Sequence, residues 1–199
     1  MKKFFIFSLT ALCAFMFCNC SSCKKKNDSE KADTVAKLIV ENVVSADREY
    51  MFANYGGNYN WYETTVMLKE YLDADTQDGT IQSISNTFQV SDIKDIGGDT
   101  KVITIVHNAD GTTETTIQYG HWFDDFALNN DSIPVTFEQA FEKVIAANYV
   151  KPQSRYCVLR RQVGPHPANA QYIFGNKQSR LYVDGVTCDV SDKNPVFDE

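Results

Sequence analysis

The chain has 199 residues and a formal net charge of −7, with 26 acidic against 19 basic side chains. An acidic balance with no basic helix or stripe argues against a nucleic-acid-binding surface, which needs clustered positive charge. The apolar fraction is ordinary and aromatic residues are plentiful, so the chain can bury a core, and its length suits one medium domain or two small ones.

The chain opens with Met1-Lys2-Lys3, followed by an almost wholly apolar run from Phe4 to Phe17. A basic start and a short apolar stretch form the pattern of a secretory signal. The run is too short for a comfortable membrane span, which needs about 20 residues. Cys18, Cys20 and Cys23 follow, and the sequence turns polar at Lys24-Lys25-Lys26-Asn27-Asp28. This junction resembles the lipobox of bacterial lipoproteins, in which a small residue precedes the cysteine that is lipidated and becomes the new N-terminus. Cys23, after Ser22, fits best as the lipid attachment, with Cys20 as the alternative. Closely spaced cysteines can also mark zinc, but at the end of an export signal no metal is expected. Residues 1–22 thus read as a signal peptide and 23–32 as a flexible tether without apolar residues to pack. Two hydrocarbon chains would anchor the protein stably to a membrane. The expected location is the bacterial cell envelope, periplasmic or at the cell surface.

From Asp33 to about Phe52 the apolar residues recur at helical spacing, through Val35, Leu38, Ile39, Asn42 or Val43, Ala46 and Tyr50. Asp33 or Thr34 can cap this helix, and Gly56-Gly57 ends it. The period then changes to two. Strands are expected over 60–72, with Tyr62, Val66, Leu68 and Leu72 on one face, and over 80–90, with Ile84 and Phe88 together. Between them lies an acidic turn from Asp73 to Gly79. Its alternating carboxylates are similar to the start of an EF-hand loop, but the required twelfth-position glutamate is Ile84 and strands flank it, so a turn is the better reading. Lys101 to His107 is a third strand. Asn108-Ala109-Asp110-Gly111 signals a hairpin, and a fourth strand runs over 113–123. Its alternation suits an antiparallel sheet with one wet face.

Residues 124–134 are acidic and polar. Thr136 with Gln139 three residues on makes a capping box, opening a helix to about Tyr149 that Lys151-Pro152 stops. Three strands follow, over 155–163, 171–175 and 180–186. The order is therefore a helix with a four-strand meander, then a helix with three strands. The class is α+β, with two helix-on-antiparallel-sheet units over 33–126 and 132–199. Cys157 and Cys188 are the cysteines outside the signal. In an exported protein they form either a disulfide or two buried thiols.

The second unit resembles the PepSY family. Its helix reads Val135-Thr136-Phe137-Glu138-Gln139-Ala140, and its last strand reads Leu181-Tyr182-Val183-Asp184-Gly185-Val186-Thr187-Cys188-Asp189-Val190. The likeness spans about 132–191. One position departs from the pattern: Cys188 stands where the family has glycine, so any tight turn there must differ. The resemblance implies an envelope or secreted protein, with peptidase inhibition as a suggested role. Tandem helix-on-sheet proteins of this kind are also similar to the β-lactamase inhibitory protein fold, a likeness of fold that carries no function.

No phosphate loop, nucleophile elbow, zinc-protease motif or dinucleotide fingerprint occurs. His107, His121 and His166 are far apart in sequence and read as structural or solvent-facing. Asp124-Asp125 are adjacent at a strand end and do not converge on one substrate. No cofactor is expected. Tyr55, Tyr59 and Trp61, within Tyr55-Gly56-Gly57-Asn58-Tyr59-Asn60-Trp61-Tyr62, have the composition of a binding loop, or else cover the end of the core. Three functions compete. The leading one is a non-enzymatic, membrane-anchored lipoprotein acting as a protein-binding module, with an envelope protein such as a peptidase as partner. The second is a small-ligand carrier with a pocket between helix and curved sheet. The third is a hydrolase with an unrecognised site.

Overall fold

The structure is a computed structural model that describes residues 37–72, 77–91, 100–122, 125–147 and 154–197. The expected signal and tether, with Cys20 and Cys23, as well as Asp33, Thr34, the start of the acidic turn and Asp124, lie outside the described residues. The protein is α+β, with two helices and an antiparallel sheet of nine strands among the described residues. The helices are α1 (Val40–Tyr55) and α2 (Phe137–Ala146). The strands are β1 (Tyr59–Leu72), β2 (Ile81–Ser91), β3 (Thr100–Asn108), β4 (Thr113–Tyr119), β5 (Asp125–Phe126), β6 (Ser154–Gln162), β7 (Gln171–Phe174), β8 (Leu181–Asp184) and β9 (Val190–Ser191).

Across the sheet the order is β4-β3-β2-β1-β6-β7-β8-β9, with β5 paired to β6 off this path. The two helix-and-strand stretches read from the sequence therefore share one sheet. They join where β1 runs antiparallel to β6, Val66 opposite Cys157 and Thr64 opposite Leu159. Residues Thr34–Glu199 form one compact unit. Local periodicity could place the strands but not this seam, because pairing between strands some ninety positions apart leaves no local signature.

Each strand alternates its side chains across the sheet. One face carries Val66, Ile84, Phe88, Ile103, Ile105, Cys157, Leu159, Tyr172, Phe174 and Val183, and these pack with Val40, Val44 and Met51 of α1 and with Phe137, Ala140 and Val144 of α2. A register shift between Trp61 and Glu63 puts Trp61 and Thr64 on the covered face. This bulge corrects the expected row, in which Tyr62 was aligned with Val66; one extra residue moves a side chain to the other face.

The first helix also departs from expectation. It starts at Val40, with Ile39 at the N-cap and no side-chain cap, so neither Asp33 nor Thr34 holds that position. Its buried positions are Val40, Val44, Asp47 and Met51, while Ile39 and Tyr50 are exposed. The true stripe was hidden because one of its members is an aspartate. The second helix follows its sequence signal: Thr136 Oγ1 accepts from the Gln139 amide, and the Gln139 side chain accepts from the Thr136 amide. Its core contacts are aromatic, with Phe137 and Phe174 stacked at 6.1 Å between ring centres and Phe141 beside both.

Candidate functional site

Two arrangements on α1 bring together side chains of chemical interest. The first is a buried polar chain. Asp47, on the inner face of α1, accepts from Asn86 Nδ2 at 2.7 Å and lies 2.8 Å from His107 Nε2. A carboxylate can only accept, so His107 carries a proton on Nε2. Thr64 Oγ1 donates to Asn86 Oδ1 at 2.6 Å and accepts from Trp61 Nε1 at 3.2 Å. At the far end His107 Nδ1 meets Thr113 Oγ1 at 3.2 Å. Strands β1 to β4 and helix α1 thus contribute one connected set of polar groups.

The hydroxyl, imidazole and carboxylate of Thr113, His107 and Asp47 come in the order used by nucleophile triads. Neither Thr113 nor His107 lines any of the grooves beside the helices. Their evident effect is to satisfy a buried carboxylate, which would otherwise be costly to desolvate. The sequence placed His107 at the end of a strand with no visible partner. Its partner stands 60 positions away. The available signal was the helical spacing of Val44, Asp47 and Met51.

The second arrangement is a groove of about 550 Å³ beside α1. Glu41, Ser45, Arg48 and Phe52 form its helical wall, Tyr59, Trp61, Leu159 and Tyr172 lie along the sheet, and Asp131 and Ile133 close the far side. The segment before α2 fixes this geometry. Leu128 N donates to Trp61 O at 2.7 Å, and the Asn129 side chain brackets the start of β1, accepting from Trp61 N and donating to Tyr59 O. Arg48 donates to Asn129 O at 3.0 Å while its guanidinium sits 5.5 Å above the Trp61 ring. The polar run around Asn129, read from the sequence as a simple boundary, is what pins the aromatic residues.

Of the three aromatics singled out in the sequence, Tyr59 and Trp61 line this groove and Tyr55 does not. Trp61 is a wall residue rather than part of a mobile loop, being buried and on β1. Tyr59 donates to Arg48 O at 3.2 Å and meets Phe88 edge-on. Tyr55 ends α1, half-buried against the core. Tyr172, unremarked in the sequence, donates to Val135 O at 2.8 Å. Burial first, and the charge of Glu41 second, push its phenol well above the ordinary range, so it acts only as a neutral donor.

Cys157 and Cys188 are both free thiols. Cys157 is wholly buried on β6, and burial raises its pKa, so it is inert. Cys188 is half-buried and has φ 65°, the one left-handed residue other than glycine among the described residues. The turn in which it sits is held by Asp184, whose carboxylate accepts from Val186 N, Thr187 N, Asn169 Nδ2 and Gln171 Nε2. Gly185 is required there, because a Cβ would lie 2.8 Å from Ala170 O. Among the described residues no group of acidic, histidine and cysteine side chains could hold a metal, and no helix is long and apolar enough to cross a membrane.

The fold and groove define a class: an α+β protein with both helices on one face of a single antiparallel sheet and an aromatic cleft under the first helix. No family model, no curated protein and no solved structure matches the chain.

Proposed function

We propose that this is a lipid-anchored protein of the bacterial envelope that acts as a non-enzymatic protein-binding module, using the groove beside α1. The lipobox-like junction at Cys23 supports the anchor. The observation that carries the binding role is the groove's lining. Tyr59, Trp61 and Arg48 belong to the residue types that dominate binding energy at interfaces. Phe52 continues the lining onto the outer surface, where it is 65% exposed. Apolar surface that extends beyond the cavity suits a macromolecular partner better than an enclosed small molecule. A peptidase is the partner class suggested by the likeness of 132–191 to PepSY. That likeness is supported by the sequence of α2, β6, β7 and β8, and by the left-handed backbone at Cys188, where the family pattern has glycine.

A second reading, a small-ligand carrier, is favoured by one observation: about 550 Å³ falls within the range of ligand sites, and polar groups converge on it. One experiment separates the two. The full-length protein and its Ser45→Arg variant, which fills the groove from an exposed position on α1, are used to capture partners from detergent-extracted envelope. Native mass spectrometry of both follows. A stoichiometric protein retained by the parent and lost by the variant supports the module. Equal retention removes the groove as its site. A small molecule carried only by the parent, with no protein captured, establishes the carrier instead.

A further inference from the structure

The two edges of the sheet differ in a way that bears on assembly. At one edge β9 has only two residues, a length that offers little to pair with. At the other, β4 presents Thr113-Glu114-Thr115-Thr116-Ile117-Gln118-Tyr119, all seven of them exposed. Exposed edges are ordinarily guarded by lysine, proline, a bulge or inward-pointing charge. This strand has no lysine, proline or bulge and a single charge, Glu114; it runs in unbroken register with β3 and carries Ile117 and Tyr119 at 53% and 74% exposure.

The ladder fixes which main-chain groups of β4 face β3 and which face away from it. Gly120 N donates to Thr100 O, and Asn108 N donates to Thr112 O, so the even-numbered residues of β4 bond inward to β3. By the alternation of antiparallel pairing, Thr113, Thr115, Ile117 and Tyr119 turn their N–H and C=O outward.

We infer that β4 pairs with β4 of a second copy, antiparallel about a twofold axis at Thr116. In that register the strand maps onto itself over its whole length. Thr113 faces Tyr119 of the other copy and Thr115 faces Ile117, so every outward donor and acceptor finds a partner. On one face the two Ile117 side chains become diagonal neighbours and cover one another. On the other, Thr116 meets Thr116, and Glu114, the strand's single charge, meets the amide of Gln118. Like charges do not face each other. A shift of four residues that brought Glu114 opposite Glu114 would leave Tyr119 unpaired. A twofold interface needs a self-complementary patch, and this register supplies one. The result is a sheet continuous across two molecules, with both helical faces and both aromatic grooves on the same side.

The test uses the full-length protein in detergent, in three forms. Thr116→Cys places a thiol opposite its own copy at a non-hydrogen-bonded pair, where Cα atoms are close enough for a disulfide. Glu114→Cys places it opposite Gln118, about 13 Å along the strand from its twin, too far to bridge. Ile117→Pro removes an outward donor without costing a bond to β3. The expected result is oxidative dimer formation by Thr116→Cys and not by Glu114→Cys. Sedimentation should give twice the chain mass for the parent and the monomer mass for Ile117→Pro. Monomeric parent protein, equal cross-linking at both positions, or a dimer that survives Ile117→Pro would each overturn the proposal; the last would place the contact in the anchor or elsewhere.

Discussion

Helix α1 and helix α2 cover the same face of one sheet by different means. Beneath α2 the contacts are aromatic and the helix is closed by its own capping box. Beneath α1 the middle of the interface is polar: Asp47, Asn86, Thr64, Trp61 and His107 form a chain whose members come from the helix and three strands. The α1 N-cap, Ile39, supplies no side-chain bond. One helix is specified locally and held by area, which is tolerant of small shifts. The other is held by directional bonds to fixed strand positions. Loosely directional packing would let α1 slide, whereas a buried carboxylate with two named donors fixes its position along the sheet. That position in turn sets the width of the groove between Arg48, Phe52 and Trp61.

The contrast can be broken at either end. The largest effect is expected from Phe174→Ala, which removes a fully buried ring shared by Phe137 and Phe141. Large-to-small changes of this kind cost about 3–5 kcal/mol, and chemical denaturation should show it as a lower midpoint. Asp47→Ala is expected to cost about 2–3 kcal/mol, because it strands the Asn86 amide and the His107 N–H. It should also loosen the groove, so Trp61 emission should move to the red while the Phe174 variant, at equal residual stability, leaves it in place. If Asp47→Ala is neutral in denaturation, the polar chain does not fix α1.

Cys188→Gly should stabilise the protein by about 1 kcal/mol, since glycine adopts φ 65° without the strain a side chain meets. A drop in melting temperature would mean that the packing of the Cys188 side chain against the core outweighs the backbone strain. The smallest effect concerns acid. Burial pushes the Asp184 carboxyl up, but hydrogen bonds from Thr187, Val186, Gln171 and Asn169 outweigh it and hold the carboxyl below its usual 3.8. A group whose folded pKa is depressed contributes stability above its unfolded value, and that contribution is lost as pH falls through the folded one. Below about pH 4 the turn after β8 should therefore weaken in the parent. In Asp184→Asn the same loss should be present already at neutral pH and nearly flat with acid. Hydrogen exchange of the Val186 and Thr187 amides between pH 3 and 6 checks it.

The sequence by itself determined the parts governed by short-range rules. The capping box of α2, the Asp110-Gly111 hairpin with its left-handed glycine, and the period-two runs of β1 to β4 and β6 to β8 all lie close to where local chemistry puts them. What only the tertiary structure decided is relational. Asp47 is a core residue because strands β2 and β3 bring Asn86 and His107 beneath it; the apolar stripe read from the sequence did not include it. Trp61 became a groove wall through a one-residue bulge and the grip of Asn129, 68 positions away. The seam between β1 and β6 turned two apparent units into one sheet. Propensity, capping and turn geometry act over a few residues and are written in the chain. Burial of a charge, a pairing across the sheet and the shape of a cleft depend on which distant groups meet, and only the assembled fold settles that.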